Sequence, residues 1–147
     1  MSTITNITST YGLSNQKSFT FGSHQSFPLR YGWIEKFCLE IVKDDPLKPF
    51  EKSELKPEIL SQKYGLGNNM AKSLRFWLKL CGIINDNPNS KQKPSLTKFG
   101  LKNFGPSGLD PYLEKKETIW NLHYNIVSNK KNMSTWSWFF NYFGKQS

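Results

Sequence analysis

The sequence predicts a mainly α-helical domain with one small β-hairpin and additional C-terminal helices. Two observations predict it. A short helical segment, a glycine turn and a longer amphipathic helix follow one another over residues 57–81, which is the order of a helix-turn-helix. A short apolar strand and a polar loop come directly afterwards, where a wing would stand. The predicted fold is therefore a winged helix-turn-helix.

The length of 147 residues is sufficient for one domain with a single core. Residues 1–20 are rich in Ser, Thr and Asn and show no sustained periodicity, so they are predicted to form a flexible N-terminal arm. Residues 21–147 are predicted to form the winged-helix domain, which ends in an aromatic helix.

The first predicted helix covers residues 31–43. Its apolar positions recur at helical spacing, and Phe37 and Val42 widen the stripe. Pro46 and Pro49 prevent the helix from continuing. The stripe consists of Tyr31, Ile34, Cys38 and Ile41.

The predicted helix-turn-helix begins with a helix over residues 57–64, which has Pro57 in its first turn and points Ile59 and Leu60 inward. Gly65 ends this helix, and Asn68 is the predicted N-cap of the next helix, over residues 69–81. That longer helix has the clearest periodicity in the chain. Its predicted buried face consists of Met70, Leu74, Trp77, Leu78 and Cys81.

The opposite face of the longer helix carries three cations and no acid, which favours contact with the phosphates of DNA. An aromatic side chain among the cations indicates contact with a sugar, a base or another protein. The alternative is an ordinary solvated surface or a protein-interaction module. The predicted DNA-binding residues of this helix are Asn68, Asn69, Lys72, Arg75, Phe76 and Lys79.

The predicted wing follows. A strand at Ile83 and Ile84 leads into a polar loop over residues 86–94, and residues 95–97 return as the second strand. Thr97 is the predicted N-cap of a short helix. Four lysines and one acid lie between residues 86 and 105, so Lys91 and Lys93 are added to the predicted DNA contacts.

Two further helical segments complete the chain. Residues 117–128 are predicted to form a helix that buries one apolar side, made of Ile119, Leu122, Ile126 and Val127. Beyond residues 130–132, six of the eight residues from 136 to 143 are aromatic, so this segment is apolar all round and requires a cover. A partner subunit or a second copy is expected to dock through Trp136, Trp138, Phe139, Phe140 and Phe143.

The formal net charge of +9 favours a polyanion partner, here double-stranded DNA. Arg30 and Arg75 are the only arginines, so phosphate contact is expected to outweigh bidentate base reading. The alternative is that the lysines keep an aromatic-rich protein soluble. The sequence shows no export signal and no apolar stretch long enough to span a membrane, so a cytoplasmic protein without membrane contact is expected.

The sequence predicts no enzyme, no cofactor and no metal site. Cys38 and Cys81 have no zinc-ligand spacing and are expected to be buried thiols. His123 falls on an apolar helix face, and His24 stands next to Gln25 rather than a carboxylate. Phosphate-binding loops, nucleophile elbows and metalloprotease motifs are absent from the sequence.

Five segments, at residues 23–33, 65–84, 110–114, 122–129 and 135–141, resemble the N-terminal part of a bacterial domain-of-unknown-function family, number four thousand and seven. Members are often encoded near genes for DNA phosphorothioation and for proteins resembling phosphoadenosine-phosphosulfate reductase. The resemblance implies a role in DNA modification or phage defence and supplies no activity.

The sequence departs from the family pattern in two places. Ser23-His24-Gln25 stands where the family usually reads Gly-His-Glu, which removes a carboxylate. Family members typically continue well past the last block, so a truncated gene, a fragment, or a subunit completed by another protein is expected. Together these observations predict a non-catalytic DNA-binding accessory or regulatory protein. The alternatives are an interaction adaptor and, less favoured, an enzyme subunit that uses His24.

Overall fold

A computed structural model describes residues 27–30, 32–45, 47–87, 89–130 and 132–141. The predicted arm over residues 1–20 lies outside the described residues, and so does His24.

The described residues form six helices and one two-stranded antiparallel sheet, so the predicted mainly helical class with a small hairpin is confirmed. The strands pair Ile84 with Leu96 and Asn85 with Ser95. In chain order the elements are α1 (Trp33–Asp44), α2 (Pro57–Tyr64), α3 (Asn68–Leu80), β1 (Ile84–Asn85), β2 (Ser95–Leu96), α4 (Lys98–Phe104), α5 (Lys116–Ser128) and α6 (Ser134–Asn141).

Helix α1 begins at Trp33, two residues later than predicted, because Gly32 precedes it in the left-handed conformation with φ of 84°. Its predicted stripe is buried at Ile34, Cys38 and Ile41, and Trp33 is buried as well. Trp33 was not predicted to belong to the stripe, because Tyr31 was predicted to begin it. Tyr31 lies outside the described residues.

The turn between α2 and α3 is closed by two hydrogen bonds between the same two residues, Ser61 and Leu66. The backbone N–H of Leu66 donates to the carbonyl of Ser61 at 3.0 Å, and the Ser61 hydroxyl donates to the carbonyl of Leu66 at 2.5 Å. Helix α2 has the predicted bounds. The predicted N-cap Asn68 is wrong by one residue, because the extended backbone of Gly67 caps α3 and Asn68 is already helical.

The inward orientation predicted for Ile59 is also wrong. Ile59 is 42% exposed, and α2 instead buries Leu60 and Tyr64, which lie one turn apart. Ile59 borders an open cavity of about 440 Å³ between α1 and α2. Because nothing among the described residues fills that space, an apolar side chain remains in contact with solvent there.

Helix α3 forms the centre of the core. Leu74, Trp77, Leu78 and Cys81 are buried as predicted, whereas Met70 is half-buried. The carbonyl of Phe27 accepts hydrogen bonds from the Ser73 hydroxyl and the Trp77 indole N–H, both at 3.0 Å. These bonds satisfy two polar groups that α3 takes into the interior.

Both cysteines are free and buried, as expected. Burial raises the pKa of each thiol, Cys38 and Cys81, to about 12, so both are protonated at neutral pH. They act as small apolar core residues.

Thr97 caps α4 as predicted. Its Oγ1 accepts a hydrogen bond from the N–H of Gly100 at 2.9 Å and donates to the carbonyl of Gly82 at 2.5 Å. Gly100 lies so close to the hairpin that a Cβ there would approach the carbonyl oxygen of Ile83 to 2.4 Å. This close approach requires glycine and seats α4 against Ile83, the residue that precedes β1.

Helix α5 is oriented by Asp110, whose carboxylate accepts hydrogen bonds from the N–H groups of Glu114 and Lys115 at 2.8 and 3.0 Å. The Thr118 side chain is a third hydrogen-bond partner of that carboxylate. Burial opposes ionisation of Asp110, but these hydrogen bonds outweigh it and lower its pKa. Since Thr118 is thereby turned inward, the predicted burial of Ile119 is wrong, and Ile119 is exposed.

Candidate nucleic-acid interface

The predicted DNA-binding face of α3 is exposed at Asn68, Asn69 and Lys72, and Lys79 is half-buried. No acidic residue lies on the helix. Gly67 offers no side-chain cap, so the backbone N–H groups of the first turn point out of the helix with no capping side chain. The N-terminal half of α3 therefore combines exposed amides, a free ammonium group and the positive end of the helix dipole.

Arg75 differs from the other two cations of α3. Its Nε donates to Oδ2 of Asp86 at 2.7 Å, and the Asp86 side chain is only 3% exposed. Arg75 was predicted as a DNA contact from the outer face of the helix. In the structure it joins α3 to the first residue after β1, and part of its charge is neutralised by a buried carboxylate.

Phe76 is half-buried and packs against the core, with its ring edge to face against Trp77 at 5.5 Å. The sequence placed it on the exposed side of α3. Because the rest of the fold covers part of this side, Phe76 presents only a portion of its ring to solvent.

The hairpin loop is fastened to the segment that precedes α2. Lys93 forms an ion pair with Glu51, and Lys52 donates to the carbonyl of Ser90 at 2.9 Å. Lys91 is exposed and forms no side-chain hydrogen bond or ion pair within the described residues. Of the two predicted wing lysines, only Lys91 thus presents an uncompensated charge.

The two predicted elements are neighbours, because the ion pair between Arg75 and Asp86 links α3 to the start of the hairpin loop. Asp86 is the residue that sequence reasoning missed. Asp86 is the single acid of a lysine-rich loop and the first residue after β1, and this position among lysines was a signal in the sequence that it is paired.

A second exposed surface lies on α5 and α6. We call the exposed aromatic residues of these helices the aromatic surface: Trp120, Tyr124, Trp136, Phe139 and Phe140. His123 lies between Trp120 and Phe140, with ring centroids 5.7 and 4.7 Å away.

The predicted docking set overlaps this surface only in part. Trp138 is half-buried, and Phe143 lies outside the described residues. The sequence reasoning missed Trp120 and Tyr124, although each stands two residues, about 200° of helical rotation, from the buried positions Leu122 and Ile126.

The described residues contain no group of three or more His, Cys, Asp or Glu side chains arranged to hold a metal ion. None of the helices in the described part of the chain is long and apolar enough to cross a membrane.

These features define a mainly helical protein with a small antiparallel hairpin and a cationic face on its central helix. The chain belongs to the DUF4007 family of proteins of unknown function, whose model matches residues 21–147. No curated protein matches the chain.

Two solved structures are similar to the chain. The magnesium ion-bound SspB crystal structure superposes with a TM-score of 0.55 at 25% identity over 74% of this chain. A second SspB crystal structure gives a TM-score of 0.53 at 27% identity over 73% of this chain. The chain spans only 31% of the length of either SspB chain.

Proposed function

We propose that this protein binds double-stranded DNA without catalysing a reaction, through α3 and the adjoining hairpin of a winged helix-turn-helix. The observation that carries the proposal is the exposed, acid-free face of α3, on which Asn68, Asn69 and Lys72 lie next to uncapped backbone N–H groups. Cations and backbone amides at a helix N-terminus are recurrent phosphate ligands.

The order of the elements supports the winged arrangement. Helix α1 is followed by a loop, by α2, the turn and α3, and then by the hairpin. The N–H of Phe50, in that loop, donates to the carbonyl of Pro94 at 2.6 Å, directly before β2. This hydrogen bond ties the loop that precedes α2 to the hairpin.

The chemistry of the exposed groups favours phosphate contact over base reading. Lysine is a flexible point charge, whereas reading guanine requires the planar fork of arginine. Arg75 already uses its Nε on Asp86, so only its remaining N–H groups are left for DNA. We therefore propose weak sequence preference and strong dependence on salt.

The biological setting we propose is an accessory or regulatory role in bacterial DNA modification or phage defence, in the cytoplasm. This setting is supported by the family resemblance alone.

Fluorescence anisotropy with a labelled duplex of about 20 base pairs tests the proposal. In the double variant Lys72→Ala/Lys79→Ala, two phosphate contacts are lost. We expect about 10- to 60-fold weaker binding near 0.1 M salt and a salt slope smaller by about 2.

The matched control is Lys48→Ala/Lys116→Ala, which removes the same charge from two exposed lysines outside α3 and the hairpin. We expect less than about 3-fold weaker binding, from the change in net charge alone. Equal losses in the two double variants, or no duplex binding by the unmodified protein, would refute an interface on α3.

A further inference from the structure

The aromatic surface on α5 and α6 is large and continuous. Trp120 is 69% exposed and Tyr124 is 67% exposed, and they lie one turn apart on α5. Ring contacts continue from Trp120 through His123 to Phe140, and from Phe140 to Phe139 and Trp136. Exposed aromatic residues scattered singly need no explanation, but a group of five on two neighbouring helices, four of them connected by ring contacts through His123, does.

The exposed area of this surface suits a protein interface. An aromatic side chain can bury about 150–250 Å², so five residues that are 38–69% exposed leave on the order of 400–650 Å² of apolar area available. A typical specific interface covers about 800 Å² on each partner, with an apolar core and a polar rim. The aromatic surface therefore has the area of the core of such an interface.

Charge identifies the kind of partner. Helix α6 contains no charged residue, and the charges of α5 are one lysine and one glutamate, Lys116 and Glu117, which cancel. The protein as a whole carries a formal net charge of +9. Two copies therefore repel one another through most of their surface and can approach at this neutral face. An acidic partner would instead be attracted to the lysine-rich α3 and hairpin. In a two-fold contact the same patch of each copy faces the other, so a patch without net charge suits such a contact.

We propose that the aromatic surface binds a second copy of this chain, with Trp120 and Tyr124 at its centre. Edge-to-face packing of aromatic rings allows the same patch to contact itself across a two-fold axis. This interface shares no residue with the proposed DNA-binding set. Trp136 packs against Trp77 of α3, with ring centroids 6.4 Å apart, so the variants that test the interface alter Trp120 and Tyr124 on α5 instead.

Sedimentation equilibrium from about 1 to 100 µM protein, at low and at moderate salt, tests the proposal. We expect twice the mass of one chain at the upper concentrations. We also expect tighter association at moderate salt, because salt screens the repulsion between the two basic copies. In Trp120→Ser/Tyr124→Ser the association should weaken at least about 30-fold, as truncation of two central aromatic residues usually causes.

The matched control is Leu47→Ser/Leu109→Ser, which replaces two exposed apolar residues outside the aromatic surface and should leave the association unchanged. Thermal unfolding and duplex binding of the aromatic variant should match those of the unmodified protein, because both altered side chains are exposed. A monomer at every concentration and salt would overturn the proposal. A dimer that persists in the aromatic variant would overturn it as well.

Discussion

The exposed face of α3 and the aromatic surface of α5 and α6 are built on opposite principles. On α3 the apolar residues are covered, and cations and amides remain outside. On α5 and α6 the fold covers one side of each helix and leaves large aromatic rings outside. On α3 the charged residues of the sequence therefore indicate which side of the helix faces solvent, whereas α6 has no charged residue that would indicate its exposed side. A charge-based partner is inferred for the first surface and an apolar partner for the second.

The largest expected difference between the two surfaces is their response to salt. If three to five phosphates are contacted, duplex affinity should fall about 40- to 500-fold between roughly 50 and 200 mM salt. Binding releases the cations condensed on the DNA, and this release is less favourable when the salt concentration is higher. Association of two copies should strengthen over the same range. Anisotropy and sedimentation on the same preparation measure both effects. A duplex affinity that does not change with salt would contradict phosphate contact by α3.

A smaller effect separates the cations of α3 from one another. Arg75→Ala leaves the carboxylate of Asp86 buried without its cation, and we expect it to lower the free energy of unfolding by about 1–3 kcal/mol. Lys72→Ala, on an exposed position, should change it by less than about 0.5 kcal/mol. Urea denaturation measures both variants. Equal stability of the two would show that the ion pair between Arg75 and Asp86 contributes little in solution.

The smallest expected effect concerns the support of the aromatic surface. In Asp110→Asn, the amide oxygen can accept only part of what the carboxylate accepts from Glu114, Lys115 and Thr118. We expect a loss of about 1–2 kcal/mol in the free energy of unfolding at neutral pH, measured by urea denaturation.

The pH dependence of that loss follows from the lowered pKa of Asp110. Because its pKa is lower in the folded state than the ordinary value of 3.8, the carboxylate stabilises the fold above that value. This contribution is lost as the pH falls below 3.8 and through the folded-state pKa. The difference between the unmodified protein and Asp110→Asn should therefore narrow on acidification. A constant difference from pH 7 to pH 3 would contradict this assignment.

The parts of the fold with strong local signals were predictable. The bounds of α2, the buried face of α3 and the Thr97 cap depend on residues within a few positions of one another. The structure confirms them, except that Met70 of the α3 face is half-buried. Predicted helix ends are wrong by one or two residues where the local sequence offers two candidate caps. At α3 both Gly67 and Asn68 could be the N-cap, and the structure has Gly67.

The candidate interface was predictable in composition but not in arrangement. The sequence indicated which residues of α3 face away from its buried side. It could not show that Asp86 pairs with Arg75 or that Glu51 pairs with Lys93, because these ion pairs join residues 11 and 42 positions apart. Likewise, Ile59 and Ile119 have helical spacing that favours burial, and only the absence of a covering neighbour among the described residues leaves them exposed.

The sequence by itself determined the helical class, the glycine turn before α3 and the cationic face of that helix, since helical periodicity and charge are local properties. Only the tertiary structure decided which cations are compensated and which aromatic rings remain uncovered. Both depend on the neighbours that distant segments supply, and a single sequence does not state those neighbours.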